Sequence, residues 1–256
     1  MKYKRKYIRR LIQLAAIGWL LPPVYFLGTV WIGTYISADF LGVGLTDPLS
    51  VLEITLAGRA FWPALWLSAL PLVVLALLLG RVFCSYICPL NFLLELLPRR
   101  QDRQLTLKIL PIGILILVLL LSLLLAVPVN NTLSPVFALM RVLLFGWGLE
   151  LLLVAVAAAS ALRWGQKIWC QAICPLGAVY GLLGIKRRLF LQVDAAKCVR
   201  CGRCRAACSM GTYPGGSSWK EAYICTNCGD CLDVCDKDAI KFIWGGKGKD
   251  TLGEGK

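Results

Sequence analysis

The chain has 256 residues, 58% of them hydrophobic, with a mean hydropathy of +0.71 and a formal net charge of +14. That is too apolar for an ordinary soluble domain. The basic charge flanks apolar runs and reads as a topology signal, so nucleic-acid binding is not expected. The absence of histidine excludes a c-type haem, a Rieske centre, a bis-His haem b and a His-ligated zinc site.

The start is basic, with six Lys or Arg among the first ten residues. An apolar run over residues 11–33 follows, long enough to span a bilayer. We read it as a first transmembrane helix, kinked at Pro22 and Pro23. Three more spans are predicted at 61–80, 109–128 and 142–162. The joint after the second carries Arg81, Arg99, Arg100, Arg103 and Lys108, whereas the joints after the first and third carry only Arg59 and Arg141. The positive-inside rule then puts both termini in the cytoplasm of a multi-pass inner-membrane protein. Trp31, Trp62, Trp66, Trp147, Trp164 and Trp169 read as interfacial anchors.

The hairpins repeat. Phe83-Cys84-Ser85-Tyr86-Ile87-Cys88-Pro89-Leu90 follows the second span, and Trp169-Cys170-Gln171-Ala172-Ile173-Cys174-Pro175-Leu176 follows the fourth. If helical, each motif puts its two thiols on one face. The short apolar stretches after them, 92–97 and 178–183, are expected to lie in the membrane interface. The expected fold is a mainly α membrane protein. Residues 1–190 form four transmembrane helices in two related hairpins, and residues 191–244 form a small α+β ferredoxin-like domain. Gly215-Gly216-Ser217-Ser218 joins the halves of that domain, and residues 245–256 form a disordered tail.

The most specific signal lies in the last section. Cys198-x2-Cys201-x2-Cys204-x3-Cys208 recurs as Cys225-x2-Cys228-x2-Cys231-x3-Cys235. In this bacterial ferredoxin spacing three cysteines hold one [4Fe–4S] cluster and the fourth serves the other. Cys198, Cys201, Cys204 and Cys235 are therefore assigned to one cluster, and Cys225, Cys228, Cys231 and Cys208 to the second. Two zinc knuckles are the plainer alternative, which the 2-2-3 spacing disfavours. Ser209 and Asp236 stand where the usual pattern has Pro. Such thiols must stay reduced, so a reducing compartment is expected.

The other candidates are less specific. Cys84, Cys88, Cys170 and Cys174 suit a further metal site, a redox thiol set, a partner surface, or buried small apolar packing. Glu150, within the fourth predicted span, is a candidate proton acceptor for quinol, with Arg141 in reach. Its alternative is a helix-paired residue near the interface. Asp47 is a second proton acceptor candidate, or simply a turn initiator before Pro48. With no Gly-rich nucleotide fingerprint, no flavin is expected.

In order along the chain, the basic start, Leu45-Thr46-Asp47-Pro48-Leu49, both Cys-x3-Cys-Pro motifs with Pro89-Leu90-Asn91 and Pro175-Leu176-Gly177-Ala178-Val179-Tyr180-Gly181, Ser134-Pro135-Val136 and both ferredoxin runs resemble the NapH-type membrane ferredoxins of periplasmic nitrate reductase systems. The methylamine-utilisation type is not separable from these by motif. The resemblance implies quinol oxidation at the membrane, with electrons passed to a partner iron–sulfur protein or multihaem c-type cytochrome. It also implies four spans, cytoplasmic clusters and a role for the Cys-x3-Cys-Pro thiols in electron transfer or partner contact. A reading from another class is a maturation factor for a metalloenzyme, using those thiols.

Overall fold

The structure is a computed structural model that describes residues 4–20, 31–33, 37–40, 43–97, 109–145, 148–165, 167–214 and 218–245. Helix α1 (Lys4–Leu20) carries the basic start. A three-stranded antiparallel meander follows, β1 (Trp31–Gly33), β2 (Ser37–Phe40) and β3 (Val43–Thr46), with Ile32 opposite Asp39 and Ala38 opposite Leu45. Asp47 then caps α2 (Pro48–Gly58) by accepting the Ser50 N–H. Pro48 sits at the first helical position, where a missing N–H costs nothing.

Helix α3 (Pro63–Leu79) ends at Gly80, whose φ of 75° the chain needs to turn back. Two short helices follow, α4 (Val82–Tyr86) and α5 (Pro89–Leu96). Next come α6 (Leu110–Leu125), α7 (Val129–Leu133), α8 (Pro135–Phe145) and α9 (Glu150–Trp164). A π turn (Trp169–Ile173) leads into α10 (Pro175–Leu183). The remainder is β4 (Leu189–Val193), α11 (Arg203–Ala207), α12 (Trp219–Ile224), α13 (Asp230–Asp233) and β5 (Ile240–Trp244). Strands β4 and β5 pair antiparallel, Leu191 opposite Phe242, and close this segment on itself.

Helix α2 packs on α3 and α6, α10 packs on α2, α3 and α6, and α1 lies against α4, α5 and α13. One core joins these elements: Leu49, Ala76, Leu115, Leu176, Ala178 and Tyr180 from the helices meet Met210, Tyr223 and Ile224 from the Cys-rich segment.

Among the described residues no helix is long and apolar enough to cross a membrane. This overturns the four spanning helices, and with them the multi-pass inner-membrane location and the cytoplasmic placement of the termini. The reason is interruption. Helices α3, α6 and α9 have 17, 16 and 15 residues, roughly 22 to 26 Å at 1.5 Å per residue, short of a ~30 Å hydrocarbon core. The run 109–128 stops at Ala126, which is left-handed. The run 142–162 is divided between α8 and α9, which pack on each other. In the run 11–33, α1 is described over Lys4–Leu20 and Trp31–Gly33 is a strand.

The stretches expected at an interface lie instead in α5 and α10, where Leu94 and Ala178 are fully buried. Arg9 and Arg81, counted as topology charges, are buried too. The kink at Pro22 and Pro23, the charges Arg99, Arg100, Arg103 and Lys108, Trp147, the loop residues 215–217 and the tail from 246 lie outside the described residues.

Candidate electron-transfer site

The two ferredoxin runs share one backbone shape. Arg200 and Gly202 have φ of 52° and 74°, and Asn227 and Gly229 repeat this at 53° and 83°. Alternating left-handed residues curve a loop into a concavity that favours an anionic group. A short helix follows in each run, α11 and α13, and the two pack together. A cavity of about 570 Å³ is lined by Cys198, Cys201 and Cys204 of the first run and Cys235 of the second. A narrower cavity is lined by Cys225, Cys228 and Cys231 with Cys208, among Leu191, Met210 and Pro214. Each donor set is four thiols, the first among cationic side chains and the second among apolar ones, which fits an anionic [4Fe–4S] cluster. Among the described residues no three Cys, Asp or Glu side chains stand close enough to hold a single metal ion. Burial, and then Asp230, pushes the Cys228 thiol up to about 12. Such a thiol stays protonated on its own at neutral pH and releases its proton to solvent when a metal binds the sulfur.

The Cys-x3-Cys-Pro motifs are not continuous helices. Proline forces the preceding residue out of the α region, and Cys88 and Cys174 are extended, with ψ of 120° and 109°. Each turn is closed by a bond skipping five residues: Cys88 N–H to Phe83 O at 3.1 Å, and Cys174 N–H to Trp169 O at 3.0 Å. Widened turns of this kind recur at functional sites. The motifs meet: Cys170 packs in one core with Cys174 and Cys84, and in a second with Cys88. Burial pushes all four thiols up, Cys170 to about 11 and Cys174 to about 12.

Arg81 joins these motifs to the second cavity. Its guanidinium donates to the Cys170 carbonyl at 3.3 Å and to the Tyr223 and Ile224 carbonyls at 3.3 and 3.4 Å, just before Cys225. A Cβ on Gly177 would collide with Nη2 of Arg81, so the glycine of Cys174-Pro175-Leu176-Gly177 makes room for it. Ser85 Oγ donates to the Thr226 carbonyl at 2.8 Å, and Asn227 Nδ2 to the Leu79 carbonyl at 2.9 Å. Ser209, where Pro was expected, accepts from Gln171 Nε2 through its carbonyl at 2.7 Å. Asp236, the other departure, pairs with Arg203.

The two carboxyl candidates part company. Asp47 is 2% exposed; it caps α2 as the turn-initiator reading expects, and also accepts the Tyr180 hydroxyl at 3.3 Å. The Tyr180 ring stacks on Phe83, 5.2 Å between centroids, beside Cys84. Burial, opposed by the Ser50 and Tyr180 bonds, pushes Asp47 up to about 7. Glu150 opens α9, half-exposed, with the expected Arg141 partner at 2.7 Å. An acid in the first helical turn is well placed against the helix dipole, and Glu150 is not inside a span.

Sequence reasoning missed two buried carboxylates. Glu53 is 0% exposed and accepts the Asn130 N–H at 2.8 Å and the Ser122 hydroxyl at 3.3 Å. Glu95 accepts from Arg9 at 3.0 Å and Lys167 at 2.8 Å, and Arg9 also reaches Asp230 at 2.7 Å and the Cys228 carbonyl at 3.3 Å. Burial pushes Glu95 up, but Lys167 and Arg9 outweigh it and hold its carboxyl low. The only signal in the sequence was a lone acid in an apolar run, Leu93-Leu94-Glu95-Leu96.

A family model described as a 4Fe-4S binding domain matches twice, over residues 58–106 and 144–191, each match containing one Cys-x3-Cys-Pro motif. The chain is 35% identical to the ferredoxin-type protein NapH of Haemophilus influenzae, over 91% of this chain and 88% of that protein. It is 33% identical to NapH of Escherichia coli, over 91% and 87%. It is 34% identical to the methylamine utilization ferredoxin-type protein MauN of Paracoccus denitrificans, over 78% and 74%. No solved structure matches.

Proposed function

The chain belongs to the NapH-type family of ferredoxin-type 4Fe–4S electron-transfer proteins, related to MauN, and from that premise we propose that it oxidises a quinol and passes the electrons to a partner iron–sulfur protein or multihaem c-type cytochrome. Cys198, Cys201, Cys204 and Cys235 hold one cluster, and Cys225, Cys228, Cys231 and Cys208 the other. Each [4Fe–4S] cluster, when bound, takes up and releases one electron.

The observation that carries this reading is the placing of Asp47 and Tyr180. Quinol oxidation releases two protons with its two electrons, so it needs an acceptor near neutrality beside the electron route. Asp47, raised to about 7 by burial, meets the need. It bonds Tyr180, which shares a core with Cys84, Cys170, Cys174 and the cluster ligand Cys208. Arg81 holds that core against the segment entering Cys225. Glu150 is on the surface with Arg141 and takes no part. The maturation reading finds less support: thiol exchange needs thiolate, and the raised thiols of Cys170 and Cys174 provide little.

The test is EPR on the anaerobically purified protein before and after quinol, with dithionite as the full-reduction control. Reduction by quinol, slowed in Asp47→Asn with the dithionite signal unchanged, supports the reading. Reduction by dithionite alone refutes it.

A further inference from the structure

The two ferredoxin runs have the same spacing and the same backbone, yet opposite surroundings. In the second run, Thr226 is buried, and Asn227 is buried with its amide bonded to the Leu79 and Leu189 carbonyls. Asp230 is bonded to buried Arg9. The matching positions of the first run are Val199, Arg200 and Arg203, all exposed. Val199 is 64% exposed, and Cys201 beside it is exposed as well. The second run is thus held against the helices and the Cys-x3-Cys-Pro motifs, and the first is turned outward.

The outward cavity has a sign. Lys197, Arg200, Arg203, Arg205 and Lys237 line it, against Glu221 and Asp236. Asp236 is engaged with Arg203. Part of this charge offsets a thiolate-bound cluster, which is itself anionic, and the exposed remainder makes a positive rim. Val199, among the residues lining the cavity, is an exposed apolar side chain close in sequence to the exposed Cys201. An apolar centre with a charged rim is the layout of a protein docking site, and charge complementarity at such a rim speeds encounter and sets orientation. Arg200 takes a left-handed conformation that Asn227 adopts more readily in the second run, so a long cation is held at a position where the backbone favours Asn or Gly.

We propose that this rim is the electron exit: a docking surface for an acidic one-electron carrier protein, which takes its electron from the cluster held by Cys198, Cys201, Cys204 and Cys235. The inference rests on the two-cluster reading above. One electron moves to one carrier molecule, and no bond forms or breaks. The buried second cluster, next to the thiols, is then the entry side.

The test is binding, measured by calorimetry on the holoprotein with both clusters in place. The probes are an acidic flavodoxin and, as the oppositely charged control, cytochrome c. Flavodoxin should bind at low ionic strength and weaken about tenfold or more at moderate salt, because exposed charges are screened within ~8 to 10 Å. Lys197→Glu/Arg200→Glu/Arg205→Glu should lose at least about tenfold in affinity, at the usual worth of exposed charge pairs. Parent and variant are compared on preparations of equal iron content and equal dithionite-reduced EPR amplitude. Arg59→Glu/Arg163→Glu/Lys186→Glu, exposed cations elsewhere, should bind as the parent does. Equal binding of the two probes, or equal losses in the two triple variants, overturns the proposal. If instead the parent protein lacks two clusters, the two-cluster reading fails, not the docking surface.

Discussion

A carboxyl raised by burial makes stability depend on pH with a predictable sign. Asp47 moves from an ordinary 3.8 to about 7 in the fold. The folded state therefore binds this proton more tightly than the unfolded chain. Between about pH 4 and pH 7 it carries more protons, and stability falls as pH rises. The shift is about three pK units, so above pH 7 the ionised side chain costs about 4 kcal/mol at 1.36 kcal/mol per unit. Asp47→Asn removes the charge and keeps a good helix cap. The variant should match the parent near pH 4 and exceed it above pH 7, by about 4 kcal/mol less up to ~1 for a weaker cap. For a chain of this size that is roughly 6 to 16 °C in Tm, at 2 to 4 °C per kcal/mol. The assay is thermal unfolding of the anaerobic holoprotein, followed by circular dichroism from about pH 4.5 to about pH 8.5. Parallel Tm curves for parent and variant would refute the claim that Asp47 is buried and near-neutral in its titration, and with it the argument for Asp47 as proton acceptor.

Three further outcomes are expected. Glu95→Gln leaves Lys167 buried without its anion and Arg9 with Asp230 alone, and should cost about 3 to 5 kcal/mol in chemical denaturation, whereas Glu95→Leu/Lys167→Met should cost less than the single change. Cys235→Ser should cut bound iron and sulfide by about half, because each cluster needs its four thiolates; Cys84→Ser should leave both contents unchanged. Gly177→Ala pushes into Arg81 and should destabilise by about 1 to 3 kcal/mol; in combination with Arg81→Lys, which lacks the colliding nitrogen, the two costs should fall short of additive in a double-mutant cycle.

What was legible in the sequence was chemistry confined to short spacings. The ligation rules propose a partner set for each Cys-x2-Cys-x2-Cys run and its distant fourth Cys, and each of the two cavities is lined by three cysteines of one run and one of the other. Asp47-Pro48 reads locally as a turn initiator, and in the fold that turn is the start of α2, with Asp47 as its cap. The partner that gives Asp47 its chemistry is Tyr180, 133 residues away, and no local pattern reports such a pairing. The span assignments failed because hydropathy averages over breaks. Ala126 and the division between α8 and α9 stop helices inside windows that remain apolar throughout, and α3 fills only Pro63–Leu79 of the window 61–80.

Charge counting failed in a related way, and the failure bears on function. The topology rule counted the sign of Arg9 and Arg81, though not of Lys167, and saw nothing of what any of the three touches. In the fold these three cations are buried between the Cys-x3-Cys-Pro helices and the second ferredoxin run. Burying a guanidinium or ammonium is costly unless it is paired and bonded, and a flanking topology charge needs no such partners. Here Arg9 bridges Glu95 and Asp230, Lys167 bonds Glu95, and Arg81 ties three carbonyls. These are directional contacts that fix one segment against another. Electron transfer falls steeply with distance, so two redox centres on one chain must be held in register. The buried cations hold the second run to the thiol motifs, while Arg200 and Arg205 of the first run are exposed.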